Sequence, residues 1–297
     1  MNKWLLATRP WSFPASSMSV VVTTAFLFFD AQKTNTNINW INALLALVMM
    51  VFFQAAGNCI SDYYDNKKQV DLPGSSNGVS WIYDGTFRPK QILSLGLSLL
   101  GVATLIGVVL LFLTSIELLW IGLCGVVLSA FYPWLKYHAL GDYNIFLCYA
   151  ILPALGTSYV VVGELNYFVL LLSFTYGLIT VAILHANNTR DIQNDGRAGI
   201  RTLAMQIGTK ASKILYAMEL LLPYALILTY VLQGYLPIWS LLSLLMIPLS
   251  YNLVKVMMNA GEHLEQDIAT LDQKTAQLQL QFSLFMTLIL LVTGVFR

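Results

Sequence analysis

The chain alternates between long apolar runs and short polar breaks, and the runs have the length of membrane spans. About 20 mostly apolar residues in a helix cross the hydrocarbon core of a bilayer. Nine stretches come near or meet that length: 12–29, 41–60, 92–113, 118–135, 143–162, 166–186, 213–232, 236–257 and 276–296. Lipid offers backbone N–H and C=O groups no partner, so each run must satisfy its own, which predicts helices. The runs lack the apolar–polar alternation of membrane barrel strands. The first run follows Lys3 and Arg9 in the manner of a signal peptide. It is roughly long enough to span and no small-residue cleavage site follows, so it is read as the first helix. The expected fold is all-α: a polytopic membrane protein of nine transmembrane helices, one domain over residues 1–297.

Composition agrees with this reading. The chain is 57% hydrophobic and 10% charged, against about 25% charged in soluble domains, and its mean hydropathy is +0.68. A net charge of +1 gives no basis for nucleic-acid binding. With the N-terminus placed inside, nine helices leave only Lys33 and Arg297 outside, and every other Lys and Arg inside. The positive-inside bias therefore fixes the orientation and supports the helix count. The expected setting is a bacterial inner membrane, with the N-terminus and the chemistry on the cytoplasmic side. Cys59, Cys124 and Cys148 lack metal spacing and are expected to be buried and reduced.

The inside connections 61–91 and 187–212 are long, and long non-spanning segments are where function concentrates. With 133–142 they form the expected cap. Each long segment opens on an Asn/Asp cluster. Asn58, Asp62 and Asp65 are spaced to share one face if the second helix continues inward, with Asp71 falling off that face. Asn188, Asp191 and Asp195 are spaced the same way, with Asn187 alongside. The two units lie four helices apart, as in repeat-built membrane folds that hold a site between repeats. Facing carboxylates repel unless positive charge lies between them. An all-oxygen set suits a hard cation, and Mg²⁺ completes its shell with water and phosphate oxygens. Two such faces on one side of the membrane look like jaws for a Mg²⁺-bound diphosphate.

Several cations fit that picture. Lys67, Lys68, Arg190, Arg197 and Arg201 are placed to contact phosphate oxygens. Pro133 is expected to push Tyr132 out of helical geometry and end the fourth span, leaving Lys136 at the depth of the two clusters. His185 lies just inside the sixth span, where it serves either the site or packing. The acids Glu262, Glu265, Asp267 and Asp272 read as a solvated loop, and Glu219 is the main ionisable residue within a span.

These residues resemble the UbiA-type intramembrane prenyltransferases over essentially the whole chain. Within that family the likeness is nearest to the 1,4-dihydroxy-2-naphthoate polyprenyltransferases of menaquinone biosynthesis. The most specific stretch is HANNTRDIQNDGRAGIRTLA over 185–204, similar to that group's second aspartate motif. WLLATRPWSFPAS over 4–16, LDQKTA over 271–276 and YPWLK over 132–136 resemble further family elements. Residues 69–71 and the loop 73–89 depart from the group's glycine-rich pattern.

The resemblance implies nine helices around a central cavity open to lipid, capped over the diphosphate. It implies Mg²⁺ at Asp62, Asp65, Asp191 and Asp195, with Asn58 and Asn188 assisting. Lys136 would contact the diphosphate, with Tyr132 and Arg9 facing substrate; beside what the resemblance implies, the charge and position of Asn187, Arg190, Lys68, Arg201 and His185 add them to the expected substrate-binding set. The implied partners are a polyprenyl diphosphate, an aromatic acceptor and membrane lipid. The implied reaction releases diphosphate and CO₂. The same transfer to 4-hydroxybenzoate, homogentisate or a lipid alcohol is the alternative. A transporter is the rival class, but it would need ionisable residues near the midplane, and the spans here are nearly free of them.

Overall fold

A computed structural model describes residues 2–67 and 81–297. Lys68 and Asp71 lie outside the described residues. Among the described residues there is no strand, and nine apolar helices follow one another in the predicted order. We number them α1 (Pro14–Thr34), α2 (Trp40–Lys67), α3 (Pro89–Leu113), α4 (Glu117–Ala130), α5 (Gly141–Val162), α6 (Phe168–Arg190), α7 (Leu203–Leu232), α8 (Ile238–Asn259) and α9 (Leu271–Val295). Eight are long and apolar enough to cross a membrane, and the protein is a multi-pass integral membrane protein. The exception is α4, with 14 residues.

The fourth span departs from expectation in a way the sequence explains. The predicted run 118–135 ends at Ala130, and Tyr132–Lys136 forms a separate short helix. Tyr132 is therefore helical, contrary to expectation: the break falls one residue earlier, at Phe131. Proline then sits in the first turn of the new helix, where a missing N–H costs nothing. A π-helical turn at Leu147–Ile151 precedes Pro153 in α5, a re-registration that a proline in the i→i−4 ladder provokes.

The bundle is knitted by α6, which packs on α1, α7 and α9. Its buried Tyr176 meets Thr23 of α1 at 3.1 Å. Tyr216 of α7 meets Thr275 of α9 at 2.6 Å, and Tyr224 meets Ser250 of α8 at 2.7 Å. Such hydrogen bonds join helices where lipid supplies no hydrophobic drive. Gly177 brings α6 against α5 so closely that a Cβ there would stand 2.5 Å from the Ala150 Cβ. By contrast α3 and α4 present long rows of exposed Leu, Val and Phe, as lipid-facing helices do.

Lys33 and Arg297, the two cations assigned outside, both stand over the ring of Phe29, at 5.5 and 4.5 Å. They border an apolar groove of about 700 Å³. It lies at the end of α1 remote from Arg9, so it is not where the acid clusters meet. Cys59 and Cys148 are buried and free as expected; Cys124, on lipid-facing α4, is exposed instead.

Candidate active site

The second helix runs unbroken to Lys67, which puts Asn58, Asp62 and Asp65 on one helix, three residues or four apart, as the spacing required. The N-terminal segment folds across this face. Asn58 donates to the Thr8 carbonyl and to the Ser12 hydroxyl, each at 2.8 Å, and accepts from Gln54 at 3.2 Å. Arg9 takes a left-handed backbone conformation, φ 54°, immediately before Pro10. Its guanidinium pairs with Asp62.

Asp65 is buried, and its carboxylate accepts from three side chains. Lys136 donates at 3.1 and 3.3 Å, Tyr137 at 2.7 Å and Ser61 at 3.2 Å. Burial alone would push the Lys136 ammonium down; Asp65, followed by Tyr132 and Tyr137, more than reverses this and holds it above the usual lysine value. Burial, then the Asp65 carboxylate, likewise raises the Tyr137 phenol. Lys136 is thus a fixed cation and Tyr137 a fixed donor. Tyr137 was not singled out in the sequence, although it follows Lys136 directly.

The second cluster is built differently. Helix α6 ends at Arg190, and Asp191 (φ −95°, ψ 11°) joins it to a short helix, Ile192–Arg197. The expected continuous face is interrupted there. Arg190 grips Asp191 with a two-point fork, Nε to Oδ1 at 2.8 Å and Nη2 to Oδ2 at 2.7 Å. Its Nη1 reaches Asp272 at 2.8 Å. Arg190, 4% exposed, is occupied by two carboxylates, so it orders the site rather than offering a free fork to phosphate. Asp272, expected in a solvated loop, is in fact part of this arrangement. Asp195 is buried, and Asn187 is half-buried, its carbonyl accepting from the Asp191 N–H.

Asn188 and His185 turn inward. Asn188 donates to Asp142 Oδ1 at 3.0 Å, and His185 Nδ1 meets Asp142 Oδ2 at 2.6 Å. The sequence signal of Asp142 is no more than an acid beside Gly141 at the start of a span. Arg201 and Arg197 are exposed. The Arg201 backbone pairs with the segment after Lys136: its N–H donates to the Tyr137 carbonyl, and its carbonyl accepts from Ala139 at 2.7 Å. That pairing joins two of the three expected cap segments. Tyr132 is half-buried one turn before Lys136.

Two acid clusters therefore stand at one end of the bundle, with Arg9, Lys136 and Arg190 set against Asp62, Asp65 and Asp191. The donors are carboxylate and amide oxygens without sulfur, a set that fits Mg²⁺. The part-exposed carboxylates of Asp62 and Asp191, 13% and 24% by side chain, keep surface open to a ligand.

Residues 19–266 match the profile of the UbiA prenyltransferase family. The chain is 32% identical over 288 residues to UbiA prenyltransferase domain-containing protein 1 of Danio rerio, spanning 95% of this chain and 82% of that protein. Identity to the Homo sapiens protein of the same name is also 32%, spanning 95% and 81%. Among solved structures, a UbiA homolog from Archaeoglobus fulgidus bound to DMAPP and Mg²⁺ aligns with a TM-score of 0.69 at 13% identity, over 97% of this chain and 99% of that one. A UbiA homolog from Aeropyrum pernix K1 in its apo form gives 0.65 at 15% identity, over 93% and 97%. At these identities the solved structures speak for the fold.

Proposed function

The chain belongs to the UbiA prenyltransferase family, and on that premise we propose that it transfers a polyprenyl group from polyprenyl diphosphate to 1,4-dihydroxy-2-naphthoate, releasing diphosphate and CO₂. The observation that carries this is the pairing of two acid clusters with three fixed cations at one end of the bundle. In support, the Archaeoglobus fulgidus homolog of the same fold holds DMAPP and Mg²⁺. The naphthoate acceptor rests on the likeness of residues 185–204 to the menaquinone group. The name of the curated relatives gives no acceptor, and they are animal proteins. The bacterial membrane and the cytoplasmic placement therefore remain part of this proposal.

Asp62, Asp65, Asp191 and Asp195 would hold Mg²⁺. When bound, the metal supplies charge neutralisation to the departing diphosphate. Lys136 keeps its proton at a depth where the diphosphate would lie, so it stabilises negative charge as that charge develops. Tyr137 and Ser61 hold Asp65 in place beneath it. Arg190, braced by Asp272, sets the rotamer of Asp191. Asn58 ties the N-terminal segment over the first face, which positions Arg9. Asn188 does the equivalent for the second face, through Asp142. Arg201 and Asn187 border the substrate in this reading, as does Tyr132, whose ring suits a carbocation-like allyl group.

The prenyl C–O bond breaks with its electron pair leaving on diphosphate, and the carboxylate-bearing ring carbon of the acceptor forms the new C–C bond. Loss of the carboxyl as CO₂ returns its electron pair to the ring and restores aromaticity. The helices exclude water from the allyl group.

The test uses purified protein in nanodiscs with labelled polyprenyl diphosphate and Mg²⁺. 1,4-Dihydroxy-2-naphthoate, 4-hydroxybenzoate and homogentisate are supplied in parallel, with an EDTA control. Magnesium-dependent product from the naphthoate alone is the expected result. Product from another acceptor would keep the transfer and overturn the acceptor.

A further inference from the structure

Behind the second acid cluster, inside the bundle, three ionisable side chains meet that no step above uses for chemistry. Asp142 opens α5, His185 lies in the last two turns of α6, and Glu219 sits in the middle of α7. They are 4%, 0% and 4% exposed. One carboxylate oxygen from each acid and a ring nitrogen of His185 all lie within 4.8 Å of one another. Ionisable groups inside a membrane protein are costly and mark a functional element, so their partners need a full account.

The hydrogen bonds supply most of it. His185 Nε2 faces the Ser212 carbonyl at 3.2 Å. A carbonyl only accepts, so Nε2 carries a proton. His185 Nδ1 then faces Asp142 Oδ2 at 2.6 Å, while Asn188 donates to the other Asp142 oxygen at 3.0 Å. Glu219 Oε2 has no hydrogen-bond partner among the described residues.

With both acids ionised, two states of His185 can be compared. If Nδ1 is protonated, the imidazolium neutralises Asp142 and Glu219 Oε2 still meets no donor among the described residues, a buried carboxylate oxygen left unsatisfied at substantial cost. If Nδ1 is unprotonated, its lone pair and the two carboxylates converge with no donor between them. A divalent cation among the three gives the His185 nitrogen and one oxygen of each carboxylate a partner and cancels both negative charges. The surroundings have the form that metal sites take: the ligating histidine donates its other N–H to a backbone carbonyl, and a ligating carboxylate is oriented by an amide.

We propose that Asp142, His185 and Glu219 form a binding site for one divalent transition-metal cation, separate from the diphosphate-facing acid clusters. A nitrogen ligand with two carboxylates favours Mn²⁺, Fe²⁺ or Zn²⁺ over Mg²⁺. The ion ties α5, α6 and α7 together directly beneath Asn188 and so holds the second acid cluster in register. Its role is structural, and the site is formed by this chain alone.

The experiment begins with wild-type protein in detergent, dialysed against EDTA to strip weakly held Mg²⁺ and assayed for metals by mass spectrometry. A second sample is loaded with Mn²⁺ or Zn²⁺ alone and dialysed again. The expected result is a stoichiometric transition metal that survives dialysis in wild type and in Asp62→Ala/Asp191→Ala. Glu219→Gln, nearly isosteric and uncharged, should bind it at least about tenfold more weakly. No retained transition metal in wild type, before or after loading, overturns the proposal, as does equal retention by Glu219→Gln. Should that variant fail to fold, X-ray absorption on metal-loaded wild type decides. One imidazole nitrogen with carboxylate oxygens at about 2.0–2.2 Å supports the site. An oxygen-only shell puts the ion on the acid clusters and overturns it.

Discussion

Lys136 Nζ stands 3.1 Å from Asp65 Oδ2, joining residues 71 apart in the chain. Replacing Lys136 with Met leaves Asp65 a buried carboxylate whose hydrogen-bond donors among the described residues are Tyr137 and Ser61. The cost of stranding such a charge is about 3 kcal/mol. Asp65→Asn/Lys136→Met removes both charges and should recover a large part of that loss. Thermal unfolding of the three variants in one detergent checks this. Equal destabilisation by the single and double variants would mean that the pair is not coupled.

While Nε and Nη2 of Arg190 hold Asp191, its Nη1 is anchored on Asp272 at 2.8 Å and on the Ala269 carbonyl at 3.4 Å. Asp272→Ala removes the shorter of these anchors and its charge, so Arg190 and Asp191 should shift together. Small misplacements at a reacting centre are expensive, so kcat/KM for the prenyl diphosphate should fall by about tenfold to a hundredfold. Steady-state kinetics on folded protein reads this directly, and unchanged kinetics would return Asp272 to the solvated-loop reading.

Gly177 lets α6 lie against α5. In Gly177→Ala the new Cβ would stand 2.5 Å from the Ala150 Cβ and 2.9 Å from the Phe146 ring. The helices must separate, at about 1–3 kcal/mol. Gly101→Ala is the control, since its Cβ meets nothing within 4 Å. The melting temperature should drop for the first variant and hold or rise slightly for the second.

The helices were legible in the sequence because lipid enforces length and apolarity on every span. Lys33 and Arg297, read from charge as sharing one side, stand together over Phe29 at one end of the bundle. The first acid face was legible because α2 is continuous, so simple periodicity placed Asp62 and Asp65. The second was only partly so. Its helix breaks at Asp191, and the fork from Arg190 is local geometry that spacing does not encode. Asp272 looked like any charge preceding a span, since its partner lies 82 residues away. Asp142 went unnoticed for the same reason: one acid next to a glycine has no pattern until His185 and Glu219 are folded against it.

In the proposed reaction the two acid clusters together carry the transfer of the prenyl group. The most direct measurement is diphosphate release from polyprenyl diphosphate, with acceptor and Mg²⁺, by wild type, Asp62→Ala and Asp191→Ala, each first shown to be folded. Both variants should lose at least about a hundredfold in rate, as removing a group that stabilises developing charge does. Either variant retaining most of the wild-type rate would contradict the assignment of that cluster to the reaction.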